Sequence, residues 1–232
     1  MKGNTLSGHK ETENTPIKGV IFDMDGLLLD SESLAIDALI QAGRDLGHDV
    51  PESFCRRMVG VPADGCRKLV LETYGTDFPT EAFFALQEKH LRDFVNNDRL
   101  TLKKGVLPLL DLLDTLGLPR AIATSSSRPR ATHHLARVGL ADRFHAIITR
   151  DDVTNGKPDP EPYLTAARHI GVDPAFCLAL EDSPSGARAA QAANIRVIII
   201  PDLITPPQDV CDKALAVVDD LTNIPAYITP QA

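Results

Sequence analysis

No stretch of this 232-residue chain is apolar for anything near the roughly 20 residues that a membrane span requires. Its four cysteines, Cys55, Cys66, Cys177 and Cys211, include no Cys-x-x-Cys pair and have no histidine at metal-ligand spacing. Reduced thiols in a cytoplasmic protein are therefore expected, not a disulfide framework. Basic residues are also in deficit, 24 against 32 acidic ones, for a formal net charge of -8. Such a surface repels nucleic acid and anionic membranes, so neither is an expected partner. A small anionic substrate stays possible, because a bound cation inverts the local field. Residues 1–16 lack the apolar core of a signal peptide and read as a disordered leader. There is no internal repeat and no low-complexity tract.

What remains is ordinary globular composition, 43% hydrophobic and 24% charged. The length suits one large domain, or a core carrying a smaller insert. Residues 18–22 read as a buried strand. Residues 31–46, 63–74 and 80–96 then read as helices, with Ser31 placed to cap the first and Gly and Pro punctuating the connections. From 107 onward helices at 107–116, 130–138, 161–170 and 185–193 alternate with strands at 120–123, 145–148, 177–180, 196–200 and 216–218. Apolar strands separated by helices of about ten residues predict an α/β fold, a parallel sheet covered on both faces. The block between the first two strands predicts an all-helical insert.

In open parallel sheets, ligands bind beyond the carboxyl ends of the strands, and the polar residues fall there. Asp23 and Asp25 follow the first strand, Thr124 and Ser125 the second, and Glu181 and Asp182 the fourth; Lys157 lies after the third. Carboxylates are rarely buried without a partner or a cation. Hard oxygen donors, with no Cys or His among them, select Mg2+. Mg2+ with one lysine and hydroxyl donors suits a phosphate dianion. An aspartate there, ionised at neutral pH, can attack phosphorus, and a second one two residues on can move the proton.

These residues resemble the four motifs of the haloacid dehalogenase superfamily: Asp23-Met24-Asp25-Gly26, then Thr124, Lys157-Pro158 and Glu181-Asp182, in the family's order. The resemblance spans about 17–219, and the helical insert is similar to the C1 cap of the phosphoglycolate phosphatase and β-phosphoglucomutase-like branch. It implies a Rossmann-like core of residues 17–30 and 98–232 and a cap of 31–97. It implies Asp23 as nucleophile, Asp25 as general acid/base, and Thr124, Ser125 and Lys157 on the phosphoryl group. Mg2+ would be held by the Asp23 side chain, the Asp25 backbone carbonyl and Asp182, with Glu181 either a direct ligand or acting through water. The dehalogenases themselves lack the second aspartate, so Asp25 points away from carbon–halogen chemistry. Ala35 and Ala63 stand where the β-phosphoglucomutases carry a cap histidine and a cap-loop arginine.

The expected function is a Mg2+-dependent phosphatase for a small phosphorylated metabolite, working through an aspartyl-phosphate as a monomer or homodimer. A β-phosphoglucomutase-like phosphomutase is the alternative. The motif phrase from Asp23 to Glu32 is closest to phosphatases of sugar phosphates or pseudouridine 5'-phosphate. Asp30 reads as a hinge or helix-cap residue, and Glu32 faces either the cleft or solvent. His133 and His134, adjacent on a helix, point to different faces and read as surface residues.

Overall fold

A computed structural model describes residues 16–61 and 63–229. The leader expected at residues 1–16 lies, apart from Pro16, outside them. In chain order the elements are β1 (Gly19–Phe22), α1 (Ser31–Asp45), α2 (Glu52–Cys55), α3 (Ala63–Tyr74), α4 (Thr80–Asn96), α5 (Val106–Leu116), β2 (Arg120–Ala123), α6 (Arg128–Arg137), β3 (Ala146–Ile148), α7 (Glu161–His169), β4 (Cys177–Glu181), α8 (Pro184–Ala192), β5 (Arg196–Ile199), α9 (Gln208–Cys211), β6 (Ala216–Val217) and α10 (Pro225–Ile228). Each long element expected from periodicity is present, and its ends shift by at most two residues. The four-residue helices α2, α9 and α10 are too short to leave a periodic signal.

The strands form one sheet in the order β3-β2-β1-β4-β5-β6, every pair parallel. Alternation along the strands feeds two apolar layers. Val20, Phe22, Ile122, Leu178 and Leu180 face Leu109, Leu110 and Leu113 of α5 and Leu135 of α6. Ile21, Ala121, Ala179, Val197 and Ile199 face Tyr163 and Ala166 of α7 and the alanines of α8. Small residues on this second face let α7 and α8 sit close to the sheet. Cys177 is fully buried in it, and burial pushes its thiol up to about 12, so packing is its role.

The chain leaves the sheet after β1 and builds a helical cap from α1 to α4 before it returns. The outer part of the cap has its own core of Ile36, Leu39, Phe54, Met58, Phe78 and Phe83. The inner part does not: Leu34 and Ala38 of α1, with Leu91 and Val95 of α4, join the layer that covers the sheet. The two crossings are zipped together. Asp30 N donates to Thr101 O at 3.0 Å, Lys103 N donates to Leu28 O at 2.9 Å, and Leu29 bridges Leu102 in antiparallel fashion.

Two expectations are corrected. Ser31 does not cap α1 through its side chain; it is the first helical residue, and its hydroxyl donates to Asp25 Oδ1 at 2.8 Å. As the first residue inside the helix it is past the capping position, and the charged Asp25 carboxylate accepts its hydroxyl hydrogen bond. His134 is not a surface residue: it is buried with Ala131 and Leu135, at i, i+3 and i+4 on one face of α6, while His133 stays exposed. Burial and the nearby Arg130 push His134 down to about 4, so it is neutral.

Candidate active site

The strand order reverses direction between β1 and β4, which opens a crevice at their carboxyl ends. Asp23 continues β1 and donates its N–H to Leu180 O at 3.0 Å, so its carboxylate is fixed where the sheet stops. The chain then turns at Gly26, where φ is +85°. A Cβ there would lie 2.3 Å from Asp182 Oδ2, so this glycine serves both the turn and the close approach of Asp182.

Lys157 ties the strand ends together. Its ammonium lies 2.5 Å from Asp23 Oδ1 and 2.5 Å from Glu181 Oε1, on a side chain only 4% exposed. Burial opposes that charge, but Asp23 and Glu181 outweigh it and raise the ammonium pKa above its ordinary value. Glu181, the last residue of β4, is fully buried and accepts four hydrogen bonds. Lys157 and the Tyr163 hydroxyl (2.8 Å) donate to Oε1; Ser183 N and Ser183 Oγ (both 3.0 Å) donate to Oε2. Ser183 Oγ accepts in turn from Gly186 N at 3.1 Å, which caps α8. This cap is formed by Ser183 and not by Asp182.

Asp182 is different. Its Oδ1 is buried and has no hydrogen-bond partner among the described residues. Asp23, Glu181 and Asp182 each bring a carboxylate oxygen within 4.8 Å of the others. Three acids around one ammonium leave uncompensated negative charge. Burial first, then Glu181 and Asp25, push Asp23 up to about 8 against the opposing pull of Lys157. Burial, then Asp23 and Glu181, hold Asp182 well above the usual carboxylate range. An orphaned buried oxygen within an acid cluster of raised pKa fits a divalent cation, which relieves both penalties. Since Glu181 already has four donors, Asp182 is the carboxylate with acceptor capacity to spare.

Asp25 points elsewhere. Its carboxylate accepts from Ser31 Oγ and, at 2.7 Å, from Ser126 Oγ, and Arg130 approaches to 3.8 Å. It lies outside the acid cluster, so the side chains at positions 23 and 25 have different hydrogen-bonding surroundings. Thr124 is buried at the end of β2, its N–H donating to Ile148 O at 2.9 Å and its Oγ1 accepting from Ser126 N at 3.0 Å. Asp23, Asp25, Thr124, Ser125, Lys157 and Asp182 together line a cavity of about 140 Å3. The residues expected to form one site are thus brought together.

The cap supplies one side of that cavity. Val59 and Gly60 form its roof beside Leu203 and Ile204 from the loop after β5. Glu32 faces the cleft, which resolves its reading; burial and then Asp25 raise its pKa. Asp30 belongs to the hinge: its side chain makes no helix cap and lies 3.8 Å from Lys103, which also binds Asp202 at 2.7 Å. Sequence reasoning missed Tyr163, Gly186 and Ser126 as parts of the site. Ser126 directly follows Thr124 and Ser125 in the sequence, whereas Tyr163 and Gly186 look like routine helix positions.

Comparison with known proteins agrees with this geometry. Residues 17–194 match the haloacid dehalogenase-like hydrolase family. YhcW of Bacillus subtilis is 36% identical, over 82% of this chain and 86% of its own length. The phosphorylated carbohydrates phosphatase of Thermotoga maritima is 33% identical, over 78% and 84% respectively. The crystal structure of a HAD family hydrolase from Deinococcus radiodurans R1, with bound phosphate and sodium, superposes with a TM-score of 0.79 at 25% identity, covering 94% of this chain and all of that one. The chain belongs to the haloacid dehalogenase-like hydrolase family. Its fold and site are those of a phosphatase of that family with a helical cap.

Proposed function

We propose that the enzyme releases phosphate from a small phosphorylated metabolite, a sugar phosphate or similar monoester, with Mg2+ and through an aspartyl-phosphate on Asp23. The grouping of Asp23, Lys157 and the unpartnered Asp182 oxygen at the ends of β1 and β4 carries this reading. The Asp23 carboxylate attacks phosphorus; the new O–P bond forms as the ester O–P bond breaks. Asp25, oriented by Ser31 and Ser126, gives its proton to the departing oxygen. It then takes a proton from the water that opens the acyl phosphate and regenerates Asp23. Thr124, Ser125 and Lys157 bind the phosphoryl oxygens, and Lys157 opposes the rise in Asp23 pKa that burial causes, as a bound cation would. Asp23, the Asp25 backbone carbonyl and Asp182 hold Mg2+, which when bound supplies charge stabilisation to the phosphoryl group. Residues 17–30 and 98–232 act as the catalytic core, and 31–97 as a cap that excludes bulk water.

Asp23→Asn tests the assignment. It should abolish phosphate release from p-nitrophenyl phosphate while leaving the circular dichroism spectrum unchanged. Undiminished turnover would remove Asp23 as nucleophile.

A further inference from the structure

The cavity at the strand ends has a neighbour inside the cap. Glu32 and Val59 line both it and a second cavity of about 160 Å3. Ile36, Leu39, Met58 and Phe84 supply apolar walls to the second one, and Glu32 and Gln87 its polar groups. Among the described residues, no lysine, arginine or histidine lines it. Among the described residues the first cavity is lined by a single cation, Lys157, and that ammonium is already shared by Asp23 and Glu181. Arg67 stands behind the wall of the second cavity, 5.3 Å from the Phe84 ring centroid and paired with Glu81 at 2.9 Å, and two further guanidiniums lie in the groove between α4 and α6 that shares Ser125 with the first cavity. There Arg130 sits 3.8 Å from Asp25, and Arg92 lies 3.3 Å from Glu88.

This asymmetry bears on the part of the substrate that leaves. The phosphoryl end meets Lys157 and a candidate cation site, whereas the leaving group enters a space walled by hydrocarbon and one carboxylate. A second phosphate or a carboxylate there would lie against Glu32 with no counter-charge among the described residues that line the cavity, Arg130 acting on Glu32 only from outside it. At a few ångströms in a protein-like dielectric, such a like-charge contact costs on the order of a hundredfold in binding.

We propose that the cap selects phosphomonoesters whose leaving group has no second negative charge, lays an apolar face on Ile36, Leu39, Met58 and Phe84, and donates a hydroxyl or N–H to Glu32. The inference rests on the phosphatase reading above and narrows it. Uncharged sugar or nucleoside monophosphates satisfy it. Bisphosphorylated sugars and phosphorylated carboxylic acids do not, and a mutase cycle that needs a bisphosphate becomes unfavourable.

Phosphate release by the full chain with Mg2+ tests this on four substrates: p-nitrophenyl phosphate, a hexose 6-phosphate, phosphoglycolate and a hexose 1,6-bisphosphate. kcat/KM for the hexose monophosphate should exceed that for either doubly anionic substrate by about tenfold or more. Glu32→Gln should narrow that ratio several-fold, and Ala35→Lys, which places a cation on the cavity wall, should shift preference toward phosphoglycolate. Equal or better turnover of the doubly anionic substrates, with p-nitrophenyl phosphate hydrolysed, would overturn the selectivity and leave the phosphatase reading standing. A ratio unmoved by both substitutions would likewise overturn it. No release from any of the four would overturn the phosphatase reading, and the inference with it.

Discussion

Tyr163→Phe offers a clean measure of how the buried acid is held. The hydroxyl donates to Glu181 Oε1 at 2.8 Å in a fully buried setting, and the substitution removes one oxygen while keeping the ring. The ring's contact with Lys157, whose ammonium lies 5.2 Å from its centroid, is retained. What is lost is one hydrogen bond to a charged acceptor, worth about 1.5–3 kcal/mol. Lys157 still donates to the same oxygen, so a value near the middle, about 2 kcal/mol, is expected. For a chain of this size each kcal/mol lowers Tm by roughly 2–4 °C, so the variant should melt about 4–8 °C lower. Urea or thermal unfolding in the presence of a chelator would read this, and a double-mutant cycle with Glu181→Gln should return most of it as coupling. A change below about 0.5 kcal/mol, which is the ordinary spread for neutral substitutions, would refute the reasoning.

Gly186→Ala should be worse, because its Cβ would fall 1.6 Å from Glu181 Oε1 and displace the carboxylate from its donors; unfolding should report a loss of about 3 kcal/mol or more. Ser126→Ala leaves Asp25 without one of its two hydroxyl donors, and kcat should fall about tenfold with phosphate release as the readout. Mg2+ at a hundred times its dissociation constant should stabilise the chain by about 2.7 kcal/mol, an effect that Asp182→Asn should abolish. The pH dependence follows from Asp23, whose pKa burial pushes up to about 8 from the ordinary aspartate value near 4. Between those values the folded chain retains a proton that the unfolded chain has released. Relative to Asp23→Asn, the chelated protein should therefore lose stability as pH rises from about 4 to about 8, and added Mg2+ should flatten that slope. A rising difference would reverse the sign of the argument.

The sheet was legible because its strands are continuous apolar runs that no helix period fits, and because helices of about ten residues separate them. The acids were legible for a related reason: Asp23 and Glu181–Asp182 interrupt such runs at the same end of parallel strands. Tyr163 was not legible. On α7 it occupies an apolar face with Ala166 and Ala167, and only the fold turns its hydroxyl toward Glu181. His134 was misread because adjacency on a helix says that two side chains diverge, not which of them goes inward. The roof of the cavity was also beyond sequence, since Val59, Gly60, Leu203 and Ile204 meet from segments more than a hundred residues apart.

The inner ends of α1 and α4 bear on how the cap moves. Leu34, Ala38, Leu91 and Val95 are built into the layer that covers the sheet, so the cap is not a paddle hung on two threads. It is a lever whose fulcrum is set inside hydrophobic packing, joined to the core through the zipped segments at 28–30 and 101–103. Substitutions at the fulcrum, far from any phosphate, would retune how often the lid lifts, and a turnover number limited by product escape would register them before any change in chemistry did.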